Sequence, residues 1–184
     1  MRFEHYLIRI IRSTDAEAYF NLVNKNLDRL ADFFAGTVAA NKNRSDTDLF
    51  IQNNLRKLED QTYIPFVIED LNSGELIGYI DVKNIDLKVP KAELGCFIDG
   101  SNAGKGISSK AMSLVIDHLF NEKQFIKLFL RTHETNNAAR HLAESAGFEL
   151  EGKIRCDYKT TSGELADLLY YGLINPNYVR NQTV

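Results

Sequence analysis

Residues 92–110 read AELGCFIDGSNAGKGISSK. Ala92 to Asp99 has the make-up of a strand. From about Gly106 to Asn121, Ile107, Ala111, Leu114, Val115 and Leu119 recur on one helical face. Between the two, Gly100, Gly104 and Gly106 place three glycines in seven positions. A strand that runs through such a turn into a helix brings free backbone amides to one point, the elementary geometry of anion binding.

Three anion-binding readings compete with a plain tight turn. An ATPase-type phosphate loop needs four residues between its first glycine and Gly-Lys, then Ser or Thr. Here Gly100 and Gly104-Lys105 enclose only three, and Gly106 follows the lysine. A dinucleotide fingerprint needs a third glycine where this chain has Ser109, and it opens a βαβ unit instead of following a hairpin. The third reading is generic: amides of the turn and of the first helical turn hold an anion, with Ser108 and Ser109 as added donors.

Outward from this junction, the chain reads as one mixed α/β layer structure. A strand spans Glu4 to Arg12. Thr14-Asp15-Ala16-Glu17 is a capping box for a helix carrying Tyr19, Phe20, Val23, Leu27 and Leu30. A looser segment, Ala35 to Arg44, precedes a second cap, Ser45-Asp46-Thr47-Asp48, and a helix with Leu49, Ile51, Leu55 and Leu58. Tyr63 to Glu69 and Glu75 to Lys83 form a hairpin about Asn72-Ser73-Gly74. After the central helix come a strand at Ile126 to Thr132, a short helix at Asn137 to Ser145 ending at Gly147, and a last hairpin of Phe148 to Tyr158 with Leu165 to Ile174.

Composition narrows the classes. A chain of 184 residues, 44% hydrophobic, is read as a single domain, 1–184, with a flexible tail at 179–184. Its net charge of −3 and scattered Lys and Arg argue against a nucleic-acid partner. No apolar run is long enough to span a bilayer, and no secretory leader pattern opens the chain, so a cytoplasmic protein with no membrane partner is expected. Cys96 and Cys156 are too few for a disulfide scaffold and are expected as buried thiols. The four histidines and two cysteines show no metal spacing.

Five pieces, in order, carry a family resemblance: Ala92-Glu93-Leu94-Gly95, Gly104-Lys105-Gly106-Ile107, Asn136-Asn137-Ala138-Ala139-Arg140, Gly147-Phe148-Glu149-Leu150-Glu151-Gly152 and Asp167-Leu168-Leu169-Tyr170. Together, and over nearly the whole chain, they resemble the GNAT acyl-CoA N-acyltransferases, within them the RimJ/RimL-like branch that acetylates ribosomal-protein N-termini. The resemblance implies a mostly antiparallel mixed sheet of about seven strands, the fourth and fifth splayed, and about four helices. It also implies acetyl-CoA as cosubstrate, no metal, and a homodimer as a compatible assembly.

The resemblance carries over residue by residue. Amides of Gly104, Lys105, Gly106, Ile107, Ser108 and Ser109 would wrap the CoA pyrophosphate, with Lys105 as an exposed phosphate partner. The chain departs from the motif at Ala103, where Gln or Arg is usual, and at Ser108, where Gly or Ala is usual. The strand Glu93 to Ile98 would splay from Ile126 to Thr132, and the pantetheine arm would pair with the edge bearing Phe97 and Ile98. A backbone amide at Cys96 or Phe97 would polarise the thioester carbonyl. Asn136, beside Ala139, would bond the pantetheine, or cap the following helix, or both.

Acyl transfer to an amine needs the neutral amine. Glu93 matches the family position for a base, acting directly or through water, and an apolar tunnel wall beside it would favour that role. Both acid positions of the family are alanine here, Ala143 and Ala139; Ser145 and Tyr158 are the nearest hydroxyls by sequence. Of the histidines, His133 falls nearest the expected thioester. Phe33 and Phe34, with Phe50 and the Tyr63–Phe66 segment, are candidate walls of the acceptor pocket, and Asp167 is either an amine contact or a structural hydrogen-bond acceptor. The expected acceptor is a protein N-terminal α-amine; a small amine such as a polyamine or aminoglycoside is the alternative, and a CoA-binding module without catalysis the rival from another class.

Overall fold

The structure, a computed structural model, describes residues 1–179. Eight strands form one sheet: β1 (Arg2–Phe3), β2 (Tyr6–Ile10), β3 (Ile64–Asp70), β4 (Leu76–Asp86), β5 (Lys91–Ile98), β6 (Lys127–His133), β7 (Glu149–Lys159) and β8 (Leu165–Ile174). Their order across the sheet is β1-β2-β3-β4-β5-β6-β8-β7, and every neighbouring pair is antiparallel except β5 with β6. The strand beyond the expected seven is the two-residue β1, so the mixed, mostly antiparallel class holds. The tail expected at 179–184 lies, from residue 180 on, outside the described residues.

The helices are α1 (Ala16–Lys25), α2 (Leu27–Leu30), α3 (Ala35–Ala39), α4 (Arg44–Glu59), α5 (Ile107–Asn121) and α6 (Asn137–Ser145), six among the described residues instead of four. The expected first helix breaks at Asn26, and α3 lies inside the segment read as loose. Asn26 explains the break: its Nδ2 bonds back to Leu22, while its Oδ1 accepts the Gly100 amide at 2.9 Å. Local helix continuity is given up for a tie to the glycine turn.

Helices cover both faces of the sheet. On one face Ala111, Val115 and Leu119 of α5 pack on Ile80, Leu94 and Leu128; on the other Tyr19, Val23 and Ile51 of α1 and α4 pack on Val67, Tyr79 and Phe97. Each Val, Leu, Ile or Phe among them, fully removed from water, contributes about 1.5–3 kcal/mol.

Two helix starts differ from expectation. Thr14 does not cap α1, which starts after Asp15 without a side-chain cap; the Asp15 carboxylate reaches back instead, accepting the Arg12 amide at 2.7 Å and an Arg9 bond at 2.6 Å. The cap of α4 is Asn43, whose Oδ1 accepts the Asp46 amide at 3.0 Å. That earlier start leaves Leu49 exposed and Ile51 buried. The two cysteines also differ from a buried pair: Cys156 is exposed, and Cys96 lies partly buried on β5.

Candidate active site

β5 and β6 pair through only three residues, Lys91 with Lys127, Ala92 with Leu128 and Glu93 with Phe129, and then part. Each keeps its outer partner, β5 with β4 as far as Ile98 and β6 with β8 as far as His133. The result is a wedge through the sheet. The Asp99 amide bonds to Ile77 at 2.7 Å, which sets the parity of the β4–β5 ladder. Alternation then turns the backbone of Phe97, Gly95 and Glu93 toward β4, and that of Ile98, Cys96 and Leu94 into the wedge. Of the two expected carbonyl-polarising amides, Cys96's faces the gap; Phe97's faces Tyr79.

One mouth of the wedge opens on the glycine turn. Its walls include Phe97, Ile98, Gly104, Gly106, Ser108 and Ser109, together with Arg29, Asn136 and Ala139. Gly104 and Gly106 have φ of +75° and +77°, and an added Cβ at either would project into open space. Left-handed backbone at both positions favours glycine. Gly106 caps α5 without any side-chain bond, and none of the amides from Gly104 to Ser109 has a hydrogen-bond partner among the described residues. Six donors are thus left free at a helix N-terminus. Lys105 is exposed, and its Nζ donates to Asn102 at 3.3 Å.

The turn is clamped from behind. Lys25 bonds Asp99 at 2.6 Å, Asn26 accepts the Gly100 amide, and Arg29 donates to the Ile98 carbonyl at 3.2 Å. Burial works against ionisation of Asp99, but Lys25, the Ser101 hydroxyl and the Ser101 amide outweigh it and hold the carboxyl below its ordinary range. None of these three α1–α2 residues is singled out by the sequence. An asparagine buried at a helix break is the signal that was there to read.

Asn136 serves two ends. Its Oδ1 accepts the Ala139 amide at 3.1 Å and caps α6, while its Nδ2 has no partner among the described residues and lines both mouths of the wedge.

The second mouth faces the connection between α2 and α3. Phe33 and Phe34 line it, with Gly95, Cys96, Glu93 and Tyr158. Phe50 does not, being stacked on Tyr19 at 5.5 Å, and Phe66 is in the core. Glu93, 4% exposed, lines the mouth together with apolar Leu94, Leu130 and Leu168, and its Oε2 accepts from Asn84 at 2.6 Å and from Arg131 at 2.9 Å. Arg131 also bonds Asp157 at 2.6 Å. The other oxygen of Glu93 has no partner among the described residues.

Tyr158 reaches this mouth because β7 bulges: the β7–β8 register shifts between Ile154 and Tyr158, and Cys156 takes a φ of +53°. A bulge re-aims side chains. The Tyr158 hydroxyl accepts the Ala35 amide at 2.7 Å, and burial raises its pKa, so it remains an O–H donor. Ser145 does not reach either mouth; it is exposed at the end of α6 and bonds the Leu142 carbonyl. Asp167 holds the bulge, accepting the Cys156 amide at 3.0 Å and facing Lys153, which is the structural role. His133 lines the mouth, its Nδ1 engaged by Thr135. The Cys96 thiol is pushed up to about 12 by burial and then by Asp81, so its sulfur is no nucleophile.

Free amides at a helix N-terminus suit a pyrophosphate, and an unpaired strand edge suits the amide groups of an extended pantetheine arm; the residues present fit acetyl-CoA. Comparison with known proteins points the same way. A family model described as "Acetyltransferase (GNAT) domain" matches residues 5–149. The chain is 32% identical over 173 residues to a Bacillus subtilis protein named "Putative ribosomal N-acetyltransferase YdaF", covering 93% of this chain and 92% of that one. It is 28% identical over 103 residues to spermidine N(1)-acetyltransferase of Escherichia coli K12, covering 56% and 54% of the two. Among solved structures, ribosomal-protein-S5-alanine acetyltransferase from Vibrio fischeri superposes with a TM-score of 0.88 at 22% identity over 98% of both chains. RimL, a ribosomal L7/L12 α-N-protein acetyltransferase in complex with coenzyme A, superposes with a TM-score of 0.87 at 20% identity over 94% of this chain and 95% of that one. With a family model across most of its length and a relative alike from end to end, the chain belongs to the GNAT acetyltransferase family, and acetyl-CoA is its acyl donor.

Proposed function

We propose that the chain transfers acetyl from acetyl-CoA to a protein N-terminal α-amine, by direct attack in the second mouth of the wedge. The observation that carries this reading is the mixed lining of that mouth, where Lys83 and Arg131 stand beside Asp32, Glu93 and Asp157. A polycation is best held by carboxylates alone, whereas a peptide bearing one ammonium and a run of backbone polar groups suits both signs. The 32% identical relative named as a ribosomal N-acetyltransferase supports the same acceptor class.

In this reading the amides of residues 104–109 bind the pyrophosphate and Asn136 Nδ2 the pantetheine. The Cys96 amide meets the thioester carbonyl, stabilising the oxyanion that forms there. Glu93 receives the amine's proton on its free oxygen, directly or through water, with Arg131 and Asn84 fixing its position. The Tyr158 hydroxyl donates to the departing sulfur.

A small polyamine is the second reading. Below Phe33 the mouth runs into a groove with Asp32, Glu134, Glu164 and Asp167 against one lysine, Lys153. Such a groove favours a cationic chain. CoA release from acetyl-CoA separates the two, using a peptide with a free N-terminus, the same peptide N-blocked, spermidine and an aminoglycoside. The expected result is kcat/KM for the free peptide about tenfold or more above spermidine, equivalent to about 1.4 kcal/mol, and none for the blocked peptide. Turnover of spermidine alone would favour the second reading.

A further inference from the structure

Lys83 lies in the acceptor mouth, the one lysine lining it among the described residues. On β4 it stands opposite Glu93, two residues from Asp81 and on the same face. Its side chain is one-third exposed, and Nζ is 3.4 Å from Asp81 Oδ2. The same Nζ is 3.1 Å from where a Cβ on Gly95 would sit. Gly95 precedes Cys96, the residue whose amide faces the wedge. The Asp81 carboxylate is buried; Tyr63 donates to its Oδ2 at 2.9 Å, and its Oδ1 has no partner among the described residues. A primary amine, a carboxylate with an open oxygen and an oxyanion donor therefore meet around one glycine.

We propose that Lys83 is a self-acetylation site: in the absence of an acceptor, its amine attacks the bound acetyl-CoA of the same chain. The inference rests on the placement of the thioester carbonyl at the Cys96 amide. The Nζ lone pair forms the C–N bond to the acetyl carbon and the C–S bond breaks. The ammonium gives up two protons in becoming the amide nitrogen: one passes through Asp81 to solvent, the other to the departing CoA thiolate. The products are Nε-acetyl-Lys83, CoA thiol and one released proton. Acetylation removes a positive charge from the mouth and leaves Asp81 facing whatever ammonium enters next.

The test is mass spectrometry of the full chain incubated with acetyl-CoA and no amine. Lys83 is expected to gain one acetyl group per chain, first order and independent of protein concentration, at least about tenfold faster than the exposed Lys88 and Lys123, as intramolecular positioning dictates. Asp81→Asn is expected to slow the step by about tenfold or more, and Lys83→Arg to abolish acceptor-free CoA release at that site. Modification of Lys83 no faster than Lys88, or at a rate that scales with protein concentration, would overturn the proposal. Acceptor-dependent CoA release in the same preparation distinguishes the failures. If it proceeds while Lys83 stays unmodified, self-acetylation alone is wrong; if neither occurs, the placement of the thioester at Cys96 falls with it.

Discussion

Asp81 and Gly95 stand opposite each other across β4 and β5, and the Asp81 carboxylate occupies the space that a side chain at position 95 would need. Glycine is required here for close approach, in one of the two strands that border the wedge. Gly95→Ala must push Asp81 off its Tyr63 bond, at a cost of about 1–3 kcal/mol for overpacking. Urea unfolding is expected to show that loss, and Asp81→Ala in the same chain to recover part of it, a coupling that a double-mutant cycle reads directly.

Asn136 Oδ1 caps α6 and its Nδ2 is the proposed pantetheine donor, so two substitutions separate them. Asn136→Asp keeps the capping oxygen and removes the donor; stability is expected to hold while KM for acetyl-CoA rises. Asn136→Ala loses both and is expected to cost about 1 kcal/mol of stability besides. Equal KM values for the wild-type and aspartate enzymes would show that Nδ2 makes no cofactor contact.

The tie between Lys25 and Asp99 has a pH signature. The folded Asp99 carboxyl lies below its ordinary range, so the unfolded chain binds a proton more readily than the folded one. The ionised group therefore adds stability above the unfolded value, about pH 4, and loses it as pH falls through the lower folded value. The difference in Tm between wild type and Asp99→Asn is expected to be constant from about pH 8 to 5 and to shrink below about pH 4.

The thiols should separate by reactivity. Iodoacetamide at neutral pH is expected to label exposed Cys156 in the native protein and to spare Cys96, whose thiol is held near 12. Peptide mapping before and after unfolding gives the comparison.

Local signals made much of this fold legible. Asn136 as a cap and Gly147 as a stop bound α6 at Asn137–Ser145, as read, because both act within one helical turn. The glycine turn was legible for the same reason. The start of α1 was not, since Asp15 is drawn back to the Arg12 amide and to Arg9 of β2 instead of a capping box forming. Nor was the environment of Glu93: Arg131 is 38 residues away and reaches it only because β5 and β6 run parallel before parting. Tyr158 was named only as a nearby hydroxyl; the backbone bulge at Cys156 is what turns it and Asp157 toward the mouth. Asp81 and Lys83 alternate on β4 like any strand residues, and only the missing side chain across from them marks the site.

The proposed complex divides labour along one backbone, phosphates on residues 104–109 and the acetyl carbonyl on Cys96. Amide chemical shifts of the labelled protein, titrated in parallel with CoA and with acetyl-CoA, test it most directly. Both ligands are expected to move the amides from Gly104 to Ser109, while the Cys96 amide moves further downfield with acetyl-CoA, which alone brings a carbonyl acceptor. A Cys96 amide that responds identically to both, or not at all, would show that the acetyl carbonyl does not rest on it.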